Sequence, residues 1–245
     1  MCASLRVVSL APAATATLTA MDAADCLVGV TTHCDADAPA VGGWLNPDMD
    51  RVDALDPDLV LTSDALQSSV RDELRARGHE VCHVAPATLG EVRESFETLG
   101  RAVDRPAAGV ALAESTRERL DCVRERVAGR PRPVVYCEEW TDPPMAAGNW
   151  VPDVVRAAGG RYPFCDPGER SREVSRADVE AADPDYAVLH VCGKGDSVDP
   201  AVVADRDWDV DAEVEVVHDD LLNQPSPRLA DGAEALAALF HGVDG

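Results

Sequence analysis

Positive charge is scarce in this chain. Its 245 residues carry 22 Lys or Arg against 45 Asp or Glu, a formal charge of −23, and Lys194 is the one lysine. Phosphate backbones are held by clustered Lys and Arg, so nucleic acid is excluded as a partner. An anionic membrane surface would repel such a chain. No apolar run approaches the roughly 18 residues of a membrane span, so no membrane insertion is expected. Before the strand-like Val7-Val8-Ser9-Leu10 there is neither a basic segment nor an apolar stretch of the signal-peptide kind. The address is therefore open: extracytoplasmic if a leader was removed upstream of Met1, with Cys2 then resembling a lipoprotein cysteine, and cytoplasmic otherwise. The eight cysteines include no CxxC and no tight Cys/His cluster, which argues against structural zinc. Cys82 and Cys137 sit in apolar runs and read as small hydrophobes. Glycine-rich phosphate loops are missing too. The first strand is followed by Ala11-Pro12-Ala13-Ala14-Thr15, and nothing resembles GxSxG, HExxH or a Walker loop. No enzyme chemistry is indicated, and no cofactor.

What is present is a globular composition, 46% hydrophobic. The acid is scattered rather than gathered in a tail. Self-repulsion of this size is screened at high salt, so the charge reads as a halophilic surface adaptation rather than a clue to the ligand.

Strand and helix signals alternate. Leu5–Leu10, Cys26–Val30, Asp58–Thr62 and Glu80–Val84 read as strands, with helices over Ala14–Met21 and Leu66–Arg77, the latter closed by Gly78. Thr88 and Glu91 stand at capping-box spacing before a helix reaching Val103. Pro106 opens another that runs to about Ala128, roughly 30 Å of rod. Strands at Val134–Cys137, Tyr186–Val191 and Glu213–Val217 follow, with helices at Val151–Ala158, Arg176–Ala182 and Arg228–His241. The fold class is α/β: two Rossmann-like lobes with central parallel sheets, residues 1–104 and 131–245, joined by one backbone helix over 105–130. A single helical link resists hinging, which predicts a nearly preformed cleft.

Ligands of parallel sheets sit beyond the carboxyl ends of the strands. The loops there carry Thr31-Thr32-His33-Cys34-Asp35, Gly42-Gly43-Trp44, Glu138-Glu139-Trp140 and Gly148-Asn149-Trp150. His33 and Cys34 admit three readings: metal or thiolate chemistry, cleft lining, or plain loop. Trp44 either lines a cleft or covers a core. Aromatics make up only 4% of the chain, so three tryptophans in these loops suit a large, planar, partly apolar guest. Adjacent Glu138 and Glu139 point to opposite faces of a strand and make a poor catalytic pair.

Val8-Ser9-Leu10-Ala11-Pro12-Ala13-Ala14-Thr15, Gly29-Val30-Thr31 and Val41-Gly42-Gly43…Asn46-Pro47-Asp48…Arg51-Val52…Leu55-Asp56-Pro57-Asp58-Leu59-Val60-Leu61 resemble the class III substrate-binding proteins of ABC importers. Ser175–Asp185 resembles the equivalent second-lobe stretch. Glu138-Glu139-Trp140, Asn149-Trp150-Val151-Pro152 and Cys192-Gly193 are closest to the cobalamin-binding branch. The resemblance implies a non-enzymatic binder that holds a corrinoid between its lobes for an ABC permease. The same fold also takes haem or ferric siderophores. A rival from another class is an intracellular thiol- or metal-dependent enzyme using His33, Cys34 and Cys192. The expected ligand contacts are Pro12, Ala13, Thr15, His33, Cys34, Trp44, Glu139, Trp140, Asn149, Trp150, Arg172 and Cys192, with Ser9 shaping a polar end. The resemblance places permease-docking acids at Asp50, or nearby Asp48, and Asp178.

Overall fold

The computed structural model describes residues 5–243; Cys2 lies outside them. The chain divides into two units: residues 1–86 with 93–115, and residues 87–92 with 116–245.

In the first unit, β1 (Val7–Ser9), β2 (Leu27–Val30), β3 (Leu59–Ser63) and β4 (Val81–Val84) form an all-parallel sheet in the order β2-β1-β3-β4. Side chains alternate across a strand. Val7, Leu59 and Leu61 therefore enter one core with Leu18, Leu99 and Val103, while Val8, Val60 and Val81 enter another with Val52, Val70 and Leu74. Both faces are dry, which is why these strands read as unbroken apolar runs. The helices are α1 (Pro12–Ala20), α2 (Met49–Ala54) and α3 (Ser68–Ala76), together with the helical residues 93–102 and 106–115. Pro12 starts α1 at a position that needs no N–H. Asp48 caps α2 by accepting from Arg51 N at 3.2 Å.

Helix α4 (Leu89–Ala102) begins with the expected capping box: Glu91 N donates to Thr88 Oγ1 at 3.2 Å and Thr88 N to Glu91 Oε2 at 3.0 Å. Helix α5 (Pro106–Arg126) starts at Pro106, and its residues belong to both units. Gly100 and Gly109 bring the two helices together: a Cβ on Gly109 would lie 2.6 Å from the Phe96 carbonyl oxygen.

The second sheet runs β7-β6-β5-β8-β9. Its parallel centre is β5 (Val135–Thr141), β8 (Tyr186–Leu189) and β9 (Glu213–Val216). Sequence reading missed β6 (Pro144–Ala146) and β7 (Arg172–Glu173), which extend it antiparallel. They are too short to show alternation, and Pro143-Pro144 argued for a loop. Helices α6 (Val151–Ala157), α7 (Arg176–Ala182), α8 (Ala201–Ala204) and α9 (Arg228–His241) surround this sheet. Ser175 and Asp178 close a second capping box on α7. Arg119 of α5 ties α9 with two hydrogen bonds to Glu234 at 2.7 and 3.0 Å and another to Asp231.

Two buried polar clusters stand out in this unit. Glu138 on β5 is fully buried. Arg206 grips it with both terminal nitrogens, one at 2.8 Å from Oε1, and also donates to Thr141 O at 2.8 Å. Tyr136 OH donates to Glu138 Oε2 at 2.7 Å. Burial first, and then the Glu138 charge, push the tyrosine hydroxyl above its ordinary pKa, keeping it a neutral donor. Arg206 also stacks 4.8 Å from the centre of the Trp208 ring. Thus the chain between β8 and β9 is pinned back onto β5.

His190, just past β8, is fully buried. Asn223 Nδ2 donates to the His190 carbonyl at 2.8 Å, so Asn223 Oδ1 faces the imidazole Nδ1. The ring proton accordingly sits on Nδ1, and Nε2 is left as a buried acceptor with no hydrogen-bond partner.

Two outcomes follow. Removing one partner of a buried ion pair strands the other charge. Arg206→Met is therefore expected to cost about 3–5 kcal/mol in urea unfolding, while Glu138→Leu combined with Arg206→Met recovers most of it. A single-variant cost indistinguishable from that of a surface substitution would contradict the pair's role. Burial pulls the His190 pKa down from 6.5 to about 4. Between those values the unfolded chain binds a proton that the folded chain refuses, so stability falls as pH drops through this window. The His190 contribution is about 3 kcal/mol. The stability gap between wild type and His190→Asn, measured from pH 7 to pH 4, is expected to narrow by that amount; a constant gap would contradict a buried neutral imidazole.

Candidate ligand-binding residues at the strand ends

In the first unit the chain leaves β1 to one side for β2 and returns to the other for β3. Such a reversal opens a crevice beyond the carboxyl ends of the two central strands. Three loops meet there, and one side chain joins them. Gln67 is fully buried. Its Oε1 accepts from Ser63 N at 2.7 Å, and its Nε2 donates to Leu10 O at 2.9 Å and to Trp44 O at 2.7 Å. The two polar atoms of this amide satisfy backbone groups at the ends of β1 and β3 and in the Trp44 loop. The residue lies in a short 3-10 turn ahead of α3, and no motif in the sequence announced it.

The β1 end is polar and filled. Thr15 Oγ1 donates to Ser9 Oγ at 2.8 Å, and Ser9 Oγ donates to Ala11 O at 3.2 Å. Ser9, Ala13 and Thr15 are buried. Ser9, Ala13 and Thr15, expected to contact a guest, lie where the first turn of α1 packs on β1. Pro12 remains half-buried. Cys34 is also half-buried, its thiol 3.1 Å from Thr31 Oγ1 and 3.9 Å from Ser9 O. His33 is exposed and Trp44 half-buried. Asp50 is exposed in the first turn of α2, 3.3 Å from Arg77, and Asp48 is the cap of that helix.

In the second unit Glu139 and Trp140 lie near the carboxyl end of β5. Trp140 is 48% exposed. Its indole N–H donates to Asp142 O at 2.8 Å, so the polar edge is satisfied while about half of the residue stays in water. Trp150 differs. It is 4% exposed, and its indole N–H donates to Leu222 O at 2.7 Å, so it belongs to the interior. The two tryptophans looked alike in sequence; one closes a hairpin, the other leads into a helix whose first turn lies against the core. Asn149 holds a left-handed conformation (φ 53°), and its carbonyl accepts from Gly168 N at 2.9 Å. Gly148 lies so close to residues 169–171 that a Cβ would meet them at 2.4 Å.

Arg172 on β7 is exposed, with Nε donating to Phe164 O at 2.9 Å. Cys192 is exposed and its N–H donates to Glu139 O at 3.0 Å, which joins the β5 and β8 ends. Burial first, then the charges of Asp219 and Glu139, raise its thiol pKa and disfavour a thiolate. Lys194, one turn further, is exposed. Asp178 is spent on the α7 capping box, where the Ser175 N–H holds its pKa below the usual carboxylate range.

Among the described residues, the grouping of three ligand-type side chains close enough for a metal is His218, Asp219 and Asp220, with no part for His33, Cys34 or Cys192. Its carboxylates already accept hydrogen bonds from Gly193 N, Gln224 and Arg228. No helix of the described residues is long and apolar enough to cross a membrane.

The family model described as periplasmic binding protein matches residues 7–212. Among curated relatives, a cobalamin-binding protein of Halobacterium salinarum is 26% identical over 97% of this chain and 70% of its own length. A vitamin B12-binding protein of Vibrio cholerae is 27% identical over 94% of this chain and 86% of its own. Two solved structures share the fold. The periplasmic vitamin B12 binding protein BtuF of Vibrio cholerae superposes with a TM-score of 0.77 at 24% identity, covering 95% of each chain. The periplasmic heme-binding protein RhuT of Roseiflexus sp. RS-1 gives 0.84 at 21% identity, covering 98% of this chain and 99% of its own. With parallel-centred sheets in both units and a family match over most of its length, the chain belongs to the periplasmic binding protein family.

Proposed function

We propose that this protein is a non-enzymatic substrate-binding protein that holds a corrinoid for ABC-type uptake. The observation that carries the reading is the similarity, over 94–97% of this chain, to proteins named for cobalamin and vitamin B12. The strand ends agree with it. A corrin ring is broad and flat, with neutral amide arms around its rim. Such a guest needs apolar walls and scattered hydrogen-bonding groups rather than a charged clamp. Trp140 offers the indole of a half-exposed residue, and Trp44 that of a half-buried one. His33, Cys34, Glu139 and Cys192 lie at or just past the carboxyl ends of β2, β5 and β8 and supply polar groups, Pro12 adds an apolar one, and Asn149 and Arg172 are assigned to the same rim. The corrinoid is cargo, and the reading calls for no resident cofactor.

The division into lobes over 1–104 and 131–245, with 105–130 as the connecting helix, belongs to this proposal. So do an extracytoplasmic site of action and a permease partner that meets Asp50 and Asp178. The acid excess suits work in concentrated salt.

Titration calorimetry with cyanocobalamin in molar KCl tests the cargo. Saturable one-to-one binding is expected, and Trp140→Ala is expected to weaken it about tenfold, the size of one lost aromatic contact. A Soret shift on adding haem, with no heat from any corrinoid, would overturn the assignment.

A further inference from the structure

Among the described residues four large apolar side chains are exposed: Leu45, Leu66, Val110 and Trp140. Val110 lies near the start of α5. Leu45 and Leu66 are different: they sit on separate loops of the first unit yet flank the same buried amide. Leu45 follows Trp44, whose carbonyl oxygen accepts from Gln67 Nε2, and Leu66 immediately precedes Gln67. Neither belongs to the two core clusters of that unit. They are 49% and 54% exposed, at the strand ends where the crevice lies.

The turn that carries Leu66 is built at a cost. Asp64 stands at φ 78°, ψ 145°, a region that residues with a side chain avoid. Its Oδ1 accepts from Leu66 N at 2.8 Å, and its N–H donates to Val84 O at 2.9 Å. Backbone strain persists only where the surroundings over-determine it. Here the Gln67 bonds to Ser63, Leu10 and Trp44 do so. The outcome of this strained, tightly bonded turn is a leucine turned into water rather than into the core. A turn serving stability alone would gain by burying it.

We propose that Leu45 and Leu66 form an aliphatic seat for the methyl-bearing edge of the bound macrocycle, and that Gln67 is the positioning residue that sets the spacing of that seat. The inference rests on the corrinoid reading and deepens it: it assigns the first unit's apolar contact to aliphatic side chains that no residue-type argument had singled out.

Hydroxocobalamin affinity, read by calorimetry in molar KCl beside the thermal midpoint, tests it. Leu45→Ser and Leu66→Ser are each expected to weaken binding about fivefold, the share of a half-exposed leucine, with the thermal midpoint unchanged. Gln67→Met keeps the length and removes the bonds, and is expected to weaken binding as well. In its background the two Leu→Ser changes are expected to lose most of their effect, since the seat is already displaced and contacts that act through one element are not additive. Should Gln67→Met fail to fold, Gln67→Glu retains the acceptor for Ser63 N while losing both donors, and the same coupling is read there. Unchanged affinity in the Leu variants of a chain that binds corrinoid would overturn the seat alone. Equal Leu→Ser penalties with and without Gln67 would overturn the positioning role. A wild-type chain that binds no corrinoid would overturn the cargo reading and the seat with it.

Discussion

Strand ends in a parallel sheet leave N–H and C=O groups without ladder partners, and those groups must be satisfied before any loop above them can hold a shape. In the first unit a single primary amide meets that need. Gln67 presents an acceptor and two donors, matched in the structure by the N–H of Ser63 at the end of β3 and by the carbonyls of Leu10 and Trp44. Glutamate would lack the donors, and an apolar residue would leave all three groups stranded in a dry interior, at about 1–3 kcal/mol each. Trp44, Leu45 and Leu66 owe their placement to this arrangement. They stand where they do because the backbone beneath them is fixed.

The second unit solves the same problem with charge. Glu138, Arg206 and Tyr136 form a buried cluster that ties the β8–β9 connection to β5. Its pair is unscreened by salt, unlike the surface pairs such as Arg51–Asp48 or Arg117–Asp121. In a chain that carries −23 charges the distinction matters. Concentrated salt weakens exposed repulsion and exposed attraction together, whereas a desolvated guanidinium–carboxylate contact keeps its strength. Arg is suited to this role, because its planar fork engages both carboxylate oxygens at once.

Much of the fold was legible in the sequence. Both sheets' parallel strands, the helix opened by Pro106, the helices over Val151–Ala158 and Arg176–Ala182 and the Thr88–Glu91 box follow from local rules, and each appears at or within a few residues of its expected place, whereas α1 starts at Pro12, two residues before the expected Ala14. The short antiparallel strands β6 and β7 did not, because they are specified by pairing with β5 rather than by their own residues. The site was less legible for a similar reason. Residue type alone marked Trp140 and Trp150 as equals; burial separates them, and burial is a property of the whole unit. Thr15 was marked by residue type as a ligand contact, and its bond to Ser9 is visible only in the fold. Gln67 joins Leu10 and Trp44, Arg206 grips Glu138 and Asn223 meets His190, contacts 23 to 68 positions apart that no window of sequence could expose.

The near-replacement of lysine by arginine has a practical side. Guanidinium groups do not react with the amine reagents used to attach dyes, and Lys194 is the one side-chain ammonium in the chain. It is exposed, two residues past Cys192 in the turn that leaves β8. Apart from the terminal amine, a fluorophore added through succinimide chemistry would therefore settle at a single address beside the strand ends, giving an optical reporter of occupancy without any engineered residue.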